Sequence, residues 1–237
     1  MPMKPLSSPD SKFEKLAKNI PFLSCLSEKE ISELKNITIE KRYLKKQIVF
    51  HEEDTTNYLY FIYSGKLKVI QNSVDGKEKI MAIHKKGGFF GEMAILDGKT
   101  SPATVVALED CEVGFISKSD FERYLMNNPR CLKEIVFMLC DRLRAAWMML
   151  KVASFADTEH RIRAVLNNLG EQFGIKDQRG TIINLKLTHK DLAHFASTSR
   201  ETTTRLLRRI TIDGEIEILE HKYILLKPEF FKNMSFL

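Results

Sequence analysis

Cysteine is sparse and scattered in this 237-residue sequence: Cys25, Cys111, Cys131 and Cys140 form no CxxC and no ligand-like spacing. That gives no thiolate set for a metal, and reduced, core-packed thiols are expected instead. No basic-apolar-small leader opens the chain, and no apolar run approaches the roughly 18 residues needed to span a bilayer. A soluble, cytoplasmic protein without a membrane partner is expected. Charge of one sign does not dominate either. The formal net charge is +6 and the pI about 9.0, which is compatible with nucleic acid but no proof of it. No histidine stands at HxH spacing from His51 or His84, so neither a metal site nor a catalytic centre is expected, and a cupin-type enzyme fused to a helical domain is the weaker reading. There is no internal repeat, and the only biased tract is residues 1–12, which read as a disordered lead-in.

Against those absences stands one long, uninterrupted stretch. Asn128-Pro129 is a helix start, an N-cap followed by a Pro whose missing N–H costs nothing. From there Leu132, Val136, Leu139, Leu143, Ala146, Leu150 and Ala153 recur at alternating steps of four and three with no Gly or Pro between them. That is a heptad seam on a helix about 40 Å long, and it predicts a dimerisation helix over 128–156.

The pattern differs on either side. Ser27-Glu28-Lys29-Glu30 is a capping box opening a short helix with Ile31 and Leu34. From Tyr43 to about Ile116 the period is two. Apolar runs at 47–50, 58–63, 67–70, 80–83, 103–107 and 111–116 are divided by Ser64-Gly65, Asp75-Gly76, Gly87-Gly88 and Asp97-Gly98, which predicts a β-sandwich or roll. Ser119-Asp120-Phe121-Glu122 is read as the cap of another short helix. Beyond the long helix, Asp157 N-caps a helix expected to stop near Gly170. Thr188-His189-Lys190-Asp191 caps a second, Ser197-Thr198-Ser199 turns, and a third runs from Arg200 to about Ile212. Asp213-Gly214 and two short strands, 215–219 and 223–226, read as a hairpin. Helix, turn, helix and hairpin in that order describe a winged helix-turn-helix.

On the third of these helices Thr203, Leu207 and Ile210 share one side, expected to pack inward. Arg200, Glu201, Thr204, Arg205 and Arg208 share the other. Arg can bond guanine O6 and N7 together, and Glu can accept from cytosine N4, so that exposed face suits major-groove edges. Six Lys/Arg stand against two acids between Lys186 and Arg209, a local excess that says more than the whole-chain charge.

These residues carry a resemblance. Leu187-Thr188-His189-Lys190-Asp191-Leu192-Ala193 and Ser199-Arg200-Glu201-Thr202-Thr203-Thr204-Arg205-Leu206-Leu207 look like the reader of the catabolite activator/fumarate-nitrate regulator (Crp/Fnr) superfamily. Tyr60-Phe61-Ile62-Tyr63-Ser64-Gly65 and Gly87-Gly88-Phe89-Phe90-Gly91-Glu92-Met93-Ala94 resemble its cyclic-nucleotide-type roll. The resemblance runs from about residue 20 to 227. It implies an α+β chain: lead-in and β-roll in 1–127, dimerisation helix in 128–156, winged helix-turn-helix in 157–237. It further implies a homodimeric regulator on double-stranded DNA with a two-fold symmetric site, working with RNA polymerase. Arg200, Glu201 and Arg205 would read base edges, Thr204 would tune the half-site, and Arg208, Ser199 and Lys190 would complete the contact. Arg200 favours a TGTGA-like half-site. Ser197 stands where the family usually has a turn glycine, so a left-handed Ser costing roughly 1 kcal/mol is expected.

The same resemblance places the effector against Gly91, Glu92 and Met93, the loop Lys99-Ser101-Pro102-Ala103, and Ala146-Trp147 of the long helix. Family members that bind a cyclic nucleotide hold its phosphate with an Arg where this chain has Ser101. Pro102 removes a backbone donor, and Lys99 could replace the Arg only as a point charge. Ala146 and Trp147 offer no acceptor to a purine edge. Ordinary cyclic AMP control is therefore not expected, and the effector stays open. With Cys25 alone near the N-terminus an iron–sulfur cluster is not expected. Nor is haem, since His51 and His84 read as surface or strand residues. Cys140 is read as core. Trp147 and the hinge Phe155-Ala156-Asp157 would couple the pocket to the reader.

Overall fold

A strand that is apolar at nearly every position needs cover on both faces, and Tyr58–Ser64 has it. Leu59, Phe61 and Tyr63 point into a core built with the N-terminal helices, while Tyr60 and Ile62 point into a second core between two sheets. A computed structural model describes residues 12–232. The lead-in reading of 1–12 falls outside it except for Lys12, which opens the first helix. In chain order the elements are α1 (Lys12–Ala17), α2 (Pro21–Ser24), α3 (Glu28–Ile37), β1 (Ile39–Tyr43), β2 (Ile48–Phe50), β3 (Tyr58–Ser64), β4 (Lys66–Asn72), β5 (Glu78–Lys85), β6 (Phe89–Phe90) and α4 (Glu92–Asp97). Then follow β7 (Thr104–Ala107), β8 (Cys111–Ser117), α5 (Lys118–Phe121), a π-helical turn at Glu122–Met126, and α6 (Pro129–Phe155). The remainder is α7 (Thr158–Phe173), β9 (Gly174–Asp177), β10 (Gly180–Ile183), α8 (His189–Ala196), α9 (Arg200–Ile212), β11 (Ile216–Ile218), β12 (Ile224–Leu226) and α10 (Pro228–Lys232). The chain divides into two units: one holds the chain to Gly76 and again Met81–Arg142, the other Lys77–Ile80 and the chain from Leu143 onward.

In the first unit two four-stranded sheets, ordered β1-β8-β3-β6 and β2-β7-β4-β5, face each other as a roll. Tyr60 and Phe90 stack between them with centroids 4.8 Å apart. On the outer face α1 and α2 press aromatic rings edge-on into the sheet, Phe13 on Phe61 at 5.6 Å and Phe22 on Phe89 at 4.8 Å. Such pairs add about 0.5–1.5 kcal/mol beyond the area they bury. Ser27 caps α3 reciprocally with Glu30, as its sequence requires. The first turns of α6 enter this core through Cys131 and Ile135, both buried, after Asn128 Oδ1 accepts from Arg130 N at 3.1 Å.

Several expectations need correction. The period-two region begins earlier than Tyr43. Four of the five β1 residues are exposed, so no alternation marks the strand, and its pairing with β8 holds it. The fully exposed β9 escaped for the same reason; with β10 it extends the β11–β12 hairpin into a sheet ordered β11-β12-β10-β9. The cap of α5 is Ser117, not Ser119: Ser117 Oγ accepts from Asp120 N at 3.1 Å. And α7 runs past Gly170 to Phe173. Gly170 is not a stop; a Cβ there would lie 2.8 Å from Leu226 Cδ1, so its bareness lets β12 approach the helix. Cys140 is exposed rather than core, because it stands on the side of α6 away from the roll, which this stretch of the helix meets through Met138 and Arg142.

The second unit packs α7, α8 and α9 over the four-stranded wing. Ile162, Leu166, Leu192, Leu207, Ile210 and Leu225 are buried in it. So is an ion pair: Arg163 donates to both oxygens of Glu215, at 2.5 and 3.1 Å, and its Nε to Glu159 at 3.1 Å. This ties the wing's first residues to α7. Removing one partner leaves the other charged and buried. Arg163→Ala is therefore expected to cost about 3–5 kcal/mol, and Arg163→Met with Glu215→Leu to recover most of it. Thermal unfolding of the two variants beside wild type checks this; equal losses from both would show that packing, not charge, dominates.

Candidate nucleic-acid interface and effector site

Two capped helices and a tight turn fix the reader. Thr188 and Asp191 form a reciprocal capping box at the start of α8. Ser197 closes α8 in the left-handed region at φ 51°, ψ 54°, the strained turn expected of it, and Thr198 N donates to Ala193 O at 3.0 Å. Ser199 Oγ then accepts from Thr202 N at 3.0 Å and starts α9. The inward side of α9 is Thr203, Leu206, Leu207 and Ile210, all buried, with Thr203 Oγ1 donating to Ser199 O at 3.0 Å. Arg200, Glu201, Thr204, Arg205 and Arg208 are all exposed on the outward side, and Lys190 and Ser199 are exposed beside them. Arg209 is turned elsewhere, paired with Glu159 of α7, so the excess of charge facing outward is smaller by one than the sequence suggests. A groove of about 480 Å³ runs between the start of α8 and the wing, lined by Thr188, His189, Lys190, Arg200 and Lys222 over Leu187, Leu192, Ile218 and Ile224.

Sequence reasoning passed over His189. Its Nδ1 lies 2.8 Å from Thr204 Oγ1, joining the first turn of α8 to the middle of α9. The contact spans fifteen residues, and no periodicity carries such a signal. Arg161 was also unremarked. Its guanidinium donates to the carbonyls of Ala196 and Ala156, each at 3.0 Å, and so clamps the end of α8.

In the roll, Gly91 precedes α4 with φ 87°, and a Cβ there would stand 2.7 Å from Tyr58 O. Only glycine fits. Glu92 is buried and paired with Arg142 of α6, which also lies over the Phe89 ring at 4.9 Å. Met93 is exposed. Lys99 is exposed and lies 3.7 Å from Asp97 Oδ2. Ser101 is buried with its hydroxyl donating to Ala103 O at 2.8 Å, and Pro102 O accepts from Gln71 Nε2 at 2.8 Å. So neither the hydroxyl nor the carbonyl of this loop is free as it stands. Ala146 and Trp147 lie farther along α6, both exposed; they are not among the residues that shape Glu92 and Arg142. The seam positions Leu132, Val136, Leu139, Leu143, Ala146, Leu150 and Ala153 are exposed in the single chain as well. His51 is exposed, whereas His84 stacks on Phe90 at 6.0 Å. Among the described residues no group of three or more His, Cys, Asp or Glu is placed to hold a metal ion, and no helix is long and apolar enough to cross a membrane.

A winged helix-turn-helix that shows five polar side chains on its second helix, following a roll of the kind that binds effectors, defines a DNA-binding transcription regulator with an effector-binding domain. Comparison with known proteins bears on both parts. Residues 40–128 match the cyclic nucleotide-binding domain family and residues 160–234 the Crp-like helix-turn-helix domain family. The cyclic AMP receptor protein of Thermus thermophilus is 27% identical over 201 residues, covering 85% of this chain and 90% of the relative. The anaerobic regulatory protein of Haemophilus influenzae is 29% identical over 209 residues, covering 86% and 79%. Among solved structures, a CooA variant from Carboxydothermus hydrogenoformans aligns with a TM-score of 0.77 at 23% identity, over 92% of this chain and 96% of that one. The c-di-GMP-responsive regulator of Xanthomonas campestris aligns at 0.71 and 24%, over 85% and 99%. These two likenesses show the fold. The chain belongs to the Crp/Fnr family of transcription regulators.

Two groups of the roll, half-buried His84 and buried Glu92, give it a pH dependence with opposite signs. Burial, with the nearby Arg142 charge, lowers His84 to about 4. Neutral His84 thus stabilises the fold above its ordinary pKa near 6.5, and that contribution is lost as pH falls from there toward 4. Burial holds Glu92 above the ordinary carboxylate range, with Arg142 opposing it. Its contribution is complete below the ordinary Glu pKa and is lost as pH rises through the folded value. Arg142→Met should therefore lower the unfolding temperature more at pH 8 than at pH 5, and His84→Leu should flatten the loss below pH 6.5. Circular-dichroism melts across that range provide the check; an Arg142→Met deficit independent of pH would mean that the pairing with Glu92 contributes nothing.

Proposed function

We propose that this regulator acts as a homodimer, reading a two-fold symmetric site with α9 and answering to a small-molecule or redox signal received in the roll. The observation that carries this is the exposed outer face of α9, where Arg200, Glu201, Thr204, Arg205 and Arg208 lie free of the domain core. In this reading Arg200, Glu201 and Arg205 contact base edges, while Ser199, Lys190 and Arg208 meet phosphates and fix the register. The dimer forms along α6. Its exposed seam includes Leu143 and Leu150, 52% and 64% exposed in the single chain. Burying such side chains against a partner would contribute about 1.5–3 kcal/mol each before entropy is subtracted. Residues 1–127 receive the signal, 128–156 pair the protomers and 157–237 bind DNA; the protein works in the cytoplasm, with RNA polymerase as its further partner, and carries out no catalysis.

The effector is not ordinary cyclic AMP. Glu92 would still be available to a ribose hydroxyl, but only in competition with Arg142, and no Arg stands at Ser101–Val105 for a phosphate. Ala146, in the seam, and Trp147, one step off it, are where occupancy of the roll would alter the packing of the two α6 helices. A cyclic-AMP-responsive regulator is the second reading, supported by the retained Gly91-Glu92 pair and by a relative named for that ligand.

Three measurements decide among these. Arg205→Ala should weaken binding to a DNA site selected from a random library by about 5- to 150-fold at fixed salt, the range of one base-reading Arg; unchanged binding would sink the reader assignment. Leu139→Asp with Leu143→Asp should convert a dimer to a monomer in native mass spectrometry. Calorimetric titration with cyclic AMP should show no micromolar binding, and a micromolar dissociation constant would establish the second reading.

A further inference from the structure

The groups on Thr204 that a base could meet are set by two hydrogen bonds within the reader. Thr204 Oγ1 is 2.9 Å from Arg200 O, and because a carbonyl only accepts, the hydroxyl hydrogen is committed there. The same oxygen is 2.8 Å from His189 Nδ1. With its one hydrogen already given, Oγ1 can only accept at that contact, so His189 Nδ1 carries the proton and donates. One hydrogen and one lone pair of the hydroxyl are thus spent inside the protein. The side chain has no donor left for guanine O6, guanine N7 or adenine N7. What remains on this exposed residue is one lone pair, able only to accept, and the whole Cγ2 methyl. In the major groove the methyl's counterpart is the thymine C5-methyl, the one apolar group displayed there.

Resting on the reading of α9 as the DNA-contacting helix, we infer that Thr204 reads a thymine methyl through its own methyl, with His189 as the positioning residue that keeps its hydroxyl turned away from the groove. His189 enters without touching a base. It ties the start of α8 to α9, and α8 is itself fixed by the Thr188–Asp191 capping box and by Arg161 at its far end. The rotamer of Thr204 is therefore set from outside its own helix. A Thr restrained only by its back-bond to residue i−4 could swing its hydroxyl outward to meet a purine N7. The one held by His189 would first have to give up a second hydrogen bond.

The test uses the full-length protein and duplex DNA enriched by it from a random library, with each thymine of one half-site replaced singly by deoxyuridine, which removes only the C5-methyl. Wild type should lose about fourfold in affinity at one thymine, the factor expected for one buried methyl. Thr204→Val, which replaces the hydroxyl by a second methyl, should keep that sensitivity. Thr204→Ser, which keeps the hydroxyl, should lose the sensitivity at that thymine alone. His189→Ala should weaken the discrimination and His189→Asn, whose side-chain amide can donate from nearly the same place as Nδ1, should restore it. If Thr204→Val lost the sensitivity as Thr204→Ser does, or no thymine showed a Thr204-dependent effect, the inference would be overturned while DNA binding stood. If His189→Ala discriminated as wild type does, His189 would have no positioning role. Absence of any enriched sequence would overturn DNA binding and this inference together.

Discussion

An apolar strip on a helix has to be covered, and α6 meets that requirement in only part of its length. Its first turns bury Cys131 and Ile135 in the core formed by β3 and the N-terminal helices. Farther along, Leu139, Leu143, Leu150 and Trp147 face outward. An isolated helix of good formers is marginal in water, and its stability in a protein comes from the packing of its apolar face. In the proposed dimer a second α6 would cover that exposed length. The same continuous helix places Arg142 against Glu92 and leads, through Ala156, to the Asp157 cap that begins the reader. Dimerisation, signal reception and DNA reading would then draw on one element.

Each unit contains a buried carboxylate answered by an arginine, and the two pairs differ in consequence. Arg163 and Glu215 are both buried and doubly bonded, with Glu159 completing the set, so the pair is part of the frame that fixes the wing on α7. In the Glu92–Arg142 pair only the acid is deeply buried. The guanidinium can exchange its carboxylate for water or for a ligand at modest cost, while Glu92 left alone bears the full penalty of desolvation. A group whose charge is costly when unpaired, set beside a cation that can move, is a point at which a ligand can alter the balance of α6. The family's usual phosphate-binding Arg is absent here, and the Ser101 hydroxyl in its place is occupied by Ala103 O.

If α9 reads DNA as proposed, its specificity would depend on side chains that are themselves held. In the proposed reader the long arginines at 200 and 205 would reach base edges but lose freedom in doing so. Thr204 is short and already fixed between Arg200 O and His189. Such a residue would discriminate by shape and by what it cannot donate, which would complement the arginines' strength.

Much of this was written in local sequence. Caps are residue-type signals acting over three or four positions, so Ser27, Asn128, Asp157 and Thr188 announced their helices, and short apolar runs such as 58–63 and 111–116, divided by glycine-bearing turns, announced the roll. The polar face of α9 followed from its period alone. Among the elements that escaped, β1 and β9 are almost wholly exposed and exist because a neighbouring strand offers its hydrogen bonds, while β10 is too short for its alternation to stand out. Gly170, read locally as a helix stop, is set by Leu226 fifty-six residues away, by the difference of those two numbers. The Arg142–Glu92 and His189–Thr204 contacts likewise join residues that share no local pattern. By itself the sequence determined the succession of helices and strands and the chemistry presented on α9, because both depend on near neighbours along the chain. Only the tertiary structure decided which charges are paired, which hydroxyls are spent and which glycine is a contact, because those depend on what the fold brings across from elsewhere.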